Sequence, residues 1–332
     1  MEKGEKMNTK GKRKVIGLAA LVMIFLFSIG MSAMETLATQ EKDSCKIANT
    51  ENDDLKAELI NTKEWAISEL TEIQVIYNHD SIHVMPSETQ NIVLKEYLSE
   101  NDPQYYAGTS IADSTLKIEG GSRPDSKNYV SNIELYVPAE FKGTINLTTN
   151  LGELWVENIT ATKFILKANN GGIRVADSKG ILDCNLGIGL LNVKNVTATK
   201  FVLRANNGDI RITDSNGDLD CELKIGDITV TGGNITGTVT SKNGSVTFSP
   251  DKIDGNIQVT SELGFIKATL PKDSSFVITA TTKMSNIVNQ FSDAWIVSEE
   301  GFNQTLNGTW GTKPTSTISF HAGMEMIEIK AK

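Results

Sequence analysis

The chain has 332 residues, which is long enough for two compact domains or one long one. Aromatic residues make up 6% and charged residues 22% of it, and the formal net charge is −9 with a sequence pI near 5.0. This composition argues against nucleic acid as a partner, because no basic face exists to neutralise phosphates.

The N-terminus predicts a targeting segment. A basic segment over residues 1–14 precedes an uncharged apolar run over 15–34. Twenty residues of helix rise about 30 Å, which is enough to span a bilayer. The basic flank places the N-terminus in the cytoplasm and the rest outside. Two outcomes stay open: a single-pass anchor in the cell membrane, or a signal peptide cleaved near Ala38 that releases a secreted protein.

A polar tether over residues 35–58 follows, and the remainder, 59–332, is expected to form one domain. Its clearest feature is a repeat. Residues 159–195 and 196–232 are two copies of one segment, 37 residues apart without a gap, with 22 of the 37 positions identical. A repeat of this period is typical of a stacked array.

Each copy contains a finer repeat. An apolar stretch of period two is followed by a glycine corner and a second such stretch, and this half-unit occurs twice within each copy, most clearly over 143–268. Alternation of period two indicates strands. A unit this short cannot bury its apolar side alone, so we expect an all-β fold, a β-solenoid of 18–19-residue coils. The alternative is a two-sheet sandwich of hairpins, because Asn-Gly also favours hairpin turns.

The shared phase of the repeats predicts which side chains face the solenoid interior. They are Leu166, Leu182, Cys184, Leu186, Leu203, Leu219, Cys221 and Leu223. Cys184 and Cys221 would then lie two coils apart, about 9.6 Å, which is too far for a disulfide. The chain has three cysteines, and an odd number fits no disulfide framework.

Both flanks of the repeat region also predict strands. Alternating apolar residues begin near Trp65, and residues 99–114 interrupt them as an irregular excursion. The C-terminal part, 271–332, has further strands together with Trp295 and Trp310. Bulky residues at both ends suit caps, because open solenoid ends expose strand edges.

Several segments resemble a family of bacterial and archaeal β-strand-repeat proteins known as "putative adhesins". They are ELTEIQVIYNHDSIHVMPSETQNIVL, IELYVPAEFKGTINLTTNLGELWV, the NNGDIRITD corner units and IKATLPKDSSFVITATT. The resemblance covers about residues 65–330 and departs from the family near 99–114. It implies an exported or membrane-anchored envelope protein built as a solenoid, and it brings no catalytic residues with it.

Few residues suggest a reactive or metal-binding site. The three histidines, His79, His83 and His321, lack the cysteine partners and spacing of a zinc site, so we interpret them as surface residues. The acidic segment 214–220 resembles a calcium loop, but its glycine stands at the fourth place and no glutamate follows at the twelfth. We therefore expect a solvated corner there.

A polysaccharide-degrading β-helix enzyme is a further alternative, and it would need clustered carboxylates on one face. The outward charges Arg174, Asp177, Arg211 and Asp214 instead recur between copies, which favours stacked surface pairs. We predict no catalytic, cofactor-binding or metal residues, no cofactor and no enzymatic activity.

The sequence therefore favours a non-enzymatic envelope protein that acts in adhesion or scaffolding through a repetitive face. Its partner would be an envelope component, a surface polymer or a membrane protein. A sensor of envelope stress, or a regulatory partner of a membrane system, is the main alternative. A polysaccharide-acting enzyme is third.

Overall fold

In the computed structural model the described residues are 56–124 and 129–332. The basic segment, the apolar run and nearly all of the polar tether lie outside them, and so does the predicted N-terminal helix. Within the described ranges no helix is both long and apolar enough to cross a membrane.

The described residues form an all-β structure, as predicted, with one 3-10 turn at Pro103–Tyr105. The N-terminal strands are β1 (Glu58–Ala66), β2 (Glu72–Tyr77), β3 (Ile82–Pro86), β4 (Asn91–Leu98), β5 (Gly108–Ala112), β6 (Thr115–Glu119) and β7 (Ser131–Val137).

The repeat region and the C-terminal part supply the other strands. The repeat region contains β8 (Thr144–Glu157), β9 (Thr160–Ala176), β10 (Lys179–Lys194), β11 (Thr197–Thr213), β12 (Asn216–Ile225), β13 (Ile228–Thr231), β14 (Asn234–Asn243), β15 (Val246–Ser249), β16 (Asn256–Leu263) and β17 (Ile266–Leu270). The C-terminal part contains β18 (Phe276–Thr282), β19 (Ile287–Gln290), β20 (Val297–Glu300), β21 (Asn303–Trp310), β22 (Ser316–Ala322) and β23 (Ile327–Ala331).

The strand register confirms that one half-unit of the repeat makes one coil of the solenoid. Phe164 pairs with Ile145 on one side and Leu182 on the other, and Leu182 pairs in turn with Phe201. All these pairs are parallel, which a sandwich of hairpins would not give. The coil is slightly longer where Gly237 pairs with Ile257.

Each coil has two sheet segments joined at a corner. We call the outer surface of the segments before the corner, such as 164–169, the first face. The surface after it, such as 172–176, is the second face. Inward side chains from both segments fill a continuous apolar core.

All eight side chains predicted to point inward are buried, with at most 1% of their surface exposed. Leu203 pairs with Cys184 on one side and Cys221 on the other, so one coil separates the two cysteines. Both thiols are free, as the coil count predicts.

A stack of glycines forms the corner between the two faces. Gly189 adopts a φ of +139°, a backbone conformation that side chains rarely allow. A Cβ on Gly189 would lie 1.5 Å from the carbonyl oxygen of Gly171 in the coil below. The close approach of successive backbones therefore requires glycine at this position.

The two ends of the solenoid do not follow chain order. The last coil, β22 and β23, lies between the coil of β16 and β17 and the coil of β18 and β19. Antiparallel β21 and β20 then cover the outer edge of β18. β22 and β23 are therefore inserted one coil inward from this end of the solenoid.

The N-terminal end is built in the same way. The coil of β2 and β3 lies between β8 and the later coil of β6 and β7. Antiparallel β4, β1 and β5 cover the outer edges. The expectation that residues 99–114 are irregular is partly wrong, because they contain β5 and the 3-10 turn. β5 forms because it pairs antiparallel with β6, and the local sequence pattern does not reveal this contact.

Candidate binding groove on the first face

A groove of about 680 Å³ runs along the first face, beside the glycine corner. Its inner row consists of Asn150, Asn169, Gly187 and Asn206, which stand at the same register position in four successive coils. The Asn169 side-chain amide donates a 2.9 Å hydrogen bond to Asn150 Oδ1. We call this feature the amide groove.

Gly187 makes a notch in this row. A Cβ at this position would lie 2.2 Å from the Asn169 carbonyl oxygen and 2.7 Å from Asn169 Oδ1. The coil therefore accepts only glycine here, and the row of side-chain amides is interrupted between Asn169 and Asn206.

A second row of polar side chains lies farther from the corner. Thr148, Lys167 and Asn185 occupy equivalent positions in consecutive coils and also line the groove. Amides and hydroxyls both donate and accept hydrogen bonds. Rungs about 4.8 Å apart present these groups at regular intervals to a ligand that lies along the solenoid axis.

A buried ion network lies near the N-terminal end of the groove. The Arg123 guanidinium pairs with the carboxylates of Asp80 and Glu96, and its Cζ lies 4.9 Å from the centroid of the Tyr77 ring. Burial raises the pKa of Tyr77 well above its ordinary value, and the Glu96 charge raises that pKa further. Burial alone would lower the pKa of Arg123, but the Asp80 carboxylate, together with Tyr77 and Glu96, raises it.

The contacts of Glu96 show that this network serves the fold. Its oxygens accept hydrogen bonds from the Tyr77 hydroxyl at 3.0 Å, the Asn61 amide at 2.6 Å and the Ala107 backbone N–H at 3.0 Å, in addition to Arg123. With so many donors, the carboxylate has little capacity left to act as a base. The network instead fastens the segment around Arg123 to the β2–β3 turn and to β4.

The three histidines lie apart. The His83 ring stacks on Trp155 with centroids 4.2 Å apart, and its Nε2 lies 2.8 Å from Glu157 Oε1. His321 Nδ1 lies 2.8 Å from the Thr281 hydroxyl, and His79 is exposed. In the described ranges, no three His, Cys, Asp or Glu side chains are grouped closely enough to hold a metal ion.

The acidic segment 214–220 is divided between a corner and a strand. Asp214 sits at the corner opposite the glycine stack with a φ of +49°. Asp218 and Asp220 project from β12, where Asp220 pairs with Arg204 at 2.6 Å. Asp220 is therefore neutralised by a neighbouring coil and does not converge with Asp214 on one cation.

Two of the repeated outward arginines form pairs on the second face. Arg174 lies 3.5 Å from Glu153, and Arg211 lies 3.7 Å from Asp209. Both pairs are largely exposed, so each contributes little to stability. Asp177 accepts a 2.6 Å hydrogen bond from Asn195 at the opposite corner.

Comparison with known proteins identifies the family. Residues 70–309 match the family model described as Toastrack DUF4097, and the chain belongs to this family. The resemblance seen in the sequence is confirmed by this match. No curated protein matches the chain.

Several solved structures are similar to this chain at low identity. A "putative adhesin" from Parabacteroides merdae has 15% identity and a TM-score of 0.42, with 82% of this chain and 96% of that chain covered. Another from Bacteroides fragilis has 15% identity and a TM-score of 0.38, with 81% and 96% covered. A "putative lipid binding protein" from Parabacteroides distasonis has 15% identity and a TM-score of 0.38, with 80% and 96% covered.

The amide groove was not foreseen from the sequence. Its signal is the asparagine that stands two residues before the corner glycine in three of four successive half-units. In the sequence these asparagines are indistinguishable from ordinary turn residues. Only the parallel register brings them into one row.

Proposed function

We propose that this chain is a non-enzymatic cell-envelope protein that binds a neutral, extended surface polymer in the amide groove. The observation that carries the proposal is the row of Asn150, Asn169 and Asn206 around the Gly187 notch. Its polar groups repeat at a fixed spacing, as the hydroxyl and amide groups of a glycan do.

The charge of the groove supports a neutral ligand. Lys167 and Glu119 are the charged side chains among its described lining residues, and their charges are opposite. A strongly anionic polymer would need more cations than Lys167 supplies. We also propose that the apolar run over 15–34 anchors the protein in the membrane and holds the solenoid outside it. The biological role would be adhesion or scaffolding.

The proposal is tested by titrating full-length protein, in a sugar-free detergent, with cellohexaose and chitohexaose. Hexaglutamate serves as the charged comparison. We expect one of the neutral oligosaccharides to bind, with affinity reduced about tenfold or more by Asn169→Ala together with Asn206→Ala, since each lost hydrogen bond weakens binding by about 1 kcal/mol.

Asn192→Ala is the matched control, because Asn192 faces outward on the second face of the same strand as Gly187. It should leave the affinity unchanged. Binding of hexaglutamate alone, absence of any oligosaccharide binding, or an equal loss in the Asn192→Ala protein would contradict the proposal.

A further inference from the structure

A line of exposed apolar side chains runs along the glycine corner. Leu151, Ile188, Ile225 and Leu263 stand at one register position in every second coil, and each exposes 41–54% of its surface. The coils between them carry asparagine at this position: Asn170, Asn207 and Asn243.

The line continues into the C-terminal coils. Ala322 pairs with Ser261 and with Thr282, so Met324 follows Leu263 in the stack and Met284 follows Met324. Met324 and Met284 expose 50% and 64% of their surfaces. We call the six apolar residues the apolar ridge: Leu151, Ile188, Ile225, Leu263, Met324 and Met284.

Two further apolar side chains widen the ridge at this end. Phe265 and Met326 precede the paired residues Ile266 and Ile327, and they expose 46% and 37% of their surfaces. Scaled to whole residues, backbone included, the exposed fractions of these eight residues amount to roughly 700 Å², against ~800 Å² per partner in a standard protein interface. Asparagines separate the first four ridge residues, so the surface is a row of apolar side chains that is continuous only at its C-terminal end. Exposed apolar surface of this extent marks an interaction site.

We propose that the apolar ridge joins two copies of this chain in a parallel, two-fold symmetric dimer. A two-fold axis parallel to the ridge places every ridge residue opposite its own copy. Leucine, isoleucine and methionine then meet apolar partners, and each asparagine meets an asparagine. Such an interface is closed by its own symmetry.

One pair of charges that flanks the ridge agrees with this arrangement. Lys224 precedes Ile225 on the first face, and Asp227 follows it on the second face, and both are exposed. The parallel two-fold axis exchanges the two faces across the interface, so Lys224 of one copy meets Asp227 of the other. The pair forms twice in the dimer and leaves one amide groove on each side.

An antiparallel dimer fits the same residues less well. With its axis at Ile225 the two ridges still lie over one another, and Leu151 faces Met284. Lys224 and Asp227 would then each face its own copy, and like charges repel. The parallel arrangement avoids this repulsion and places every ridge residue opposite its own copy.

The first test is the oligomeric state of the full-length chain, measured by sedimentation in a density-matched detergent. The wild-type protein should be a dimer, and the triple variant Ile188→Asn, Ile225→Asn and Leu263→Asn should be a monomer. The coils tolerate these changes, because asparagine already occupies the equivalent place in neighbouring coils. A monomeric wild-type protein overturns the proposal, and so does a triple variant that remains a dimer.

Disulfide trapping tests the orientation. On a Cys45→Ser background, the Ile225→Cys protein should cross-link to itself upon oxidation, and so should the Ile188→Cys protein. Lys194→Cys, at the far edge of the second face, is the control and should stay monomeric. An Ile188→Cys protein that does not cross-link to itself, but does cross-link when mixed with the Ile225→Cys or the Leu263→Cys protein, would show an antiparallel dimer. Equal cross-linking of the Lys194→Cys protein would show random collision. Either result overturns the proposal.

Discussion

Individual residues in this solenoid are constrained by the coil above and the coil below. At the glycine corner the constraint is steric, because successive backbones lie so close together that no side chain fits between them. In the interior the side chains must be apolar, because they are buried away from water, as the two cysteines are. Both constraints can be tested by single substitutions with close controls in the same coil.

Gly189→Ala is expected to destabilise the chain by at least about 2 kcal/mol, because it adds backbone strain at positive φ to a clash with the Gly171 carbonyl. Gly172→Ala is the matched control, since a Cβ there would meet its nearest atom at 3.3 Å, the side-chain oxygen of Glu153. Urea unfolding followed by circular dichroism measures both. Equal midpoints for the two variants would contradict the close-packed corner.

The buried thiols predict a loss of stability at high pH. Burial raises the pKa of Cys221 to about 12 and that of Cys184 well above its ordinary value. Well below pH 9 both states keep the thiols protonated, so the thiols add no pH dependence there. Above pH 9 the unfolded chain ionises first, and the free energy of unfolding falls by about 1.4 kcal/mol per pH unit for each thiol.

Comparison of the wild-type protein with the double variant Cys184→Ala and Cys221→Ala isolates this effect. Urea midpoints at pH 8 and pH 10 should converge between the two proteins as the pH rises. The double variant also loses packing in the core at every pH. The test is therefore whether the gap in urea midpoint between the two proteins changes from pH 8 to pH 10. A difference that stays constant with pH would show that the thiols are accessible to solvent.

At the scale of elements, the two ends of the solenoid differ from its middle. In the middle, each strand pairs with the equivalent strand one coil before and one coil after. At the C-terminal end, β22 and β23 are inserted between two coils that precede them in the sequence. The outermost coil, β18 and β19, therefore depends on strands that follow it in the sequence.

Removal of residues 315–332 should consequently disorder more than the segment deleted. β18 and β19 would lose their parallel partners β22 and β23, and among the strands of the described ranges the β20–β21 hairpin pairs only with β18. Hydrogen exchange should show lost protection throughout 276–310, with protection retained in β9 to β12. Phe302→Ser, at the exposed tip of the hairpin, should leave exchange unchanged. Persistent protection of β18 after the truncation would contradict the insertion.

At the scale of the whole described domain, stability should be a sum over neighbouring coils. Deletion of residues 196–232 removes two complete coils and joins Asn195 to Gly233. Across the junction the corner glycines stay in register, and inward-facing residues stay inward. Apolar residues and asparagines also continue to alternate along the ridge. We expect a shorter solenoid that still folds, with a modestly lower melting temperature.

The control for this deletion removes only 205–232, a segment that is not a whole number of coils. It places Arg204 before Gly233 and puts the corner glycines out of phase with their neighbours. This variant should lose its cooperative thermal transition in circular dichroism. Similar melting of the two deletions would contradict the assignment of one half-unit to each coil.

The sequence by itself determined the all-β class, the coil length and the interior positions. These features are local and repeated: the period-two alternation around Leu203, with glycine at each corner, specifies the same coil many times over. Where one half-unit has an ambiguous pattern, the clearer pattern of its neighbours still indicates the coil length and the interior positions. The family resemblance rests on the same repeated units.

Tertiary structure alone decided the order of the terminal coils, the position of β5, the ion network at Arg123 and the amide groove. Each of these depends on contacts between residues far apart in the sequence, such as the Asp80, Glu96 and Arg123 contacts or the pairing of β22 with β18. The apolar ridge is of the same kind. A single exposed isoleucine is ordinary in a sequence, and only the parallel register places Ile188 and Ile225 in one line with Leu263. Local pattern specifies the coil, whereas the stacking of coils brings distant residues together into surfaces.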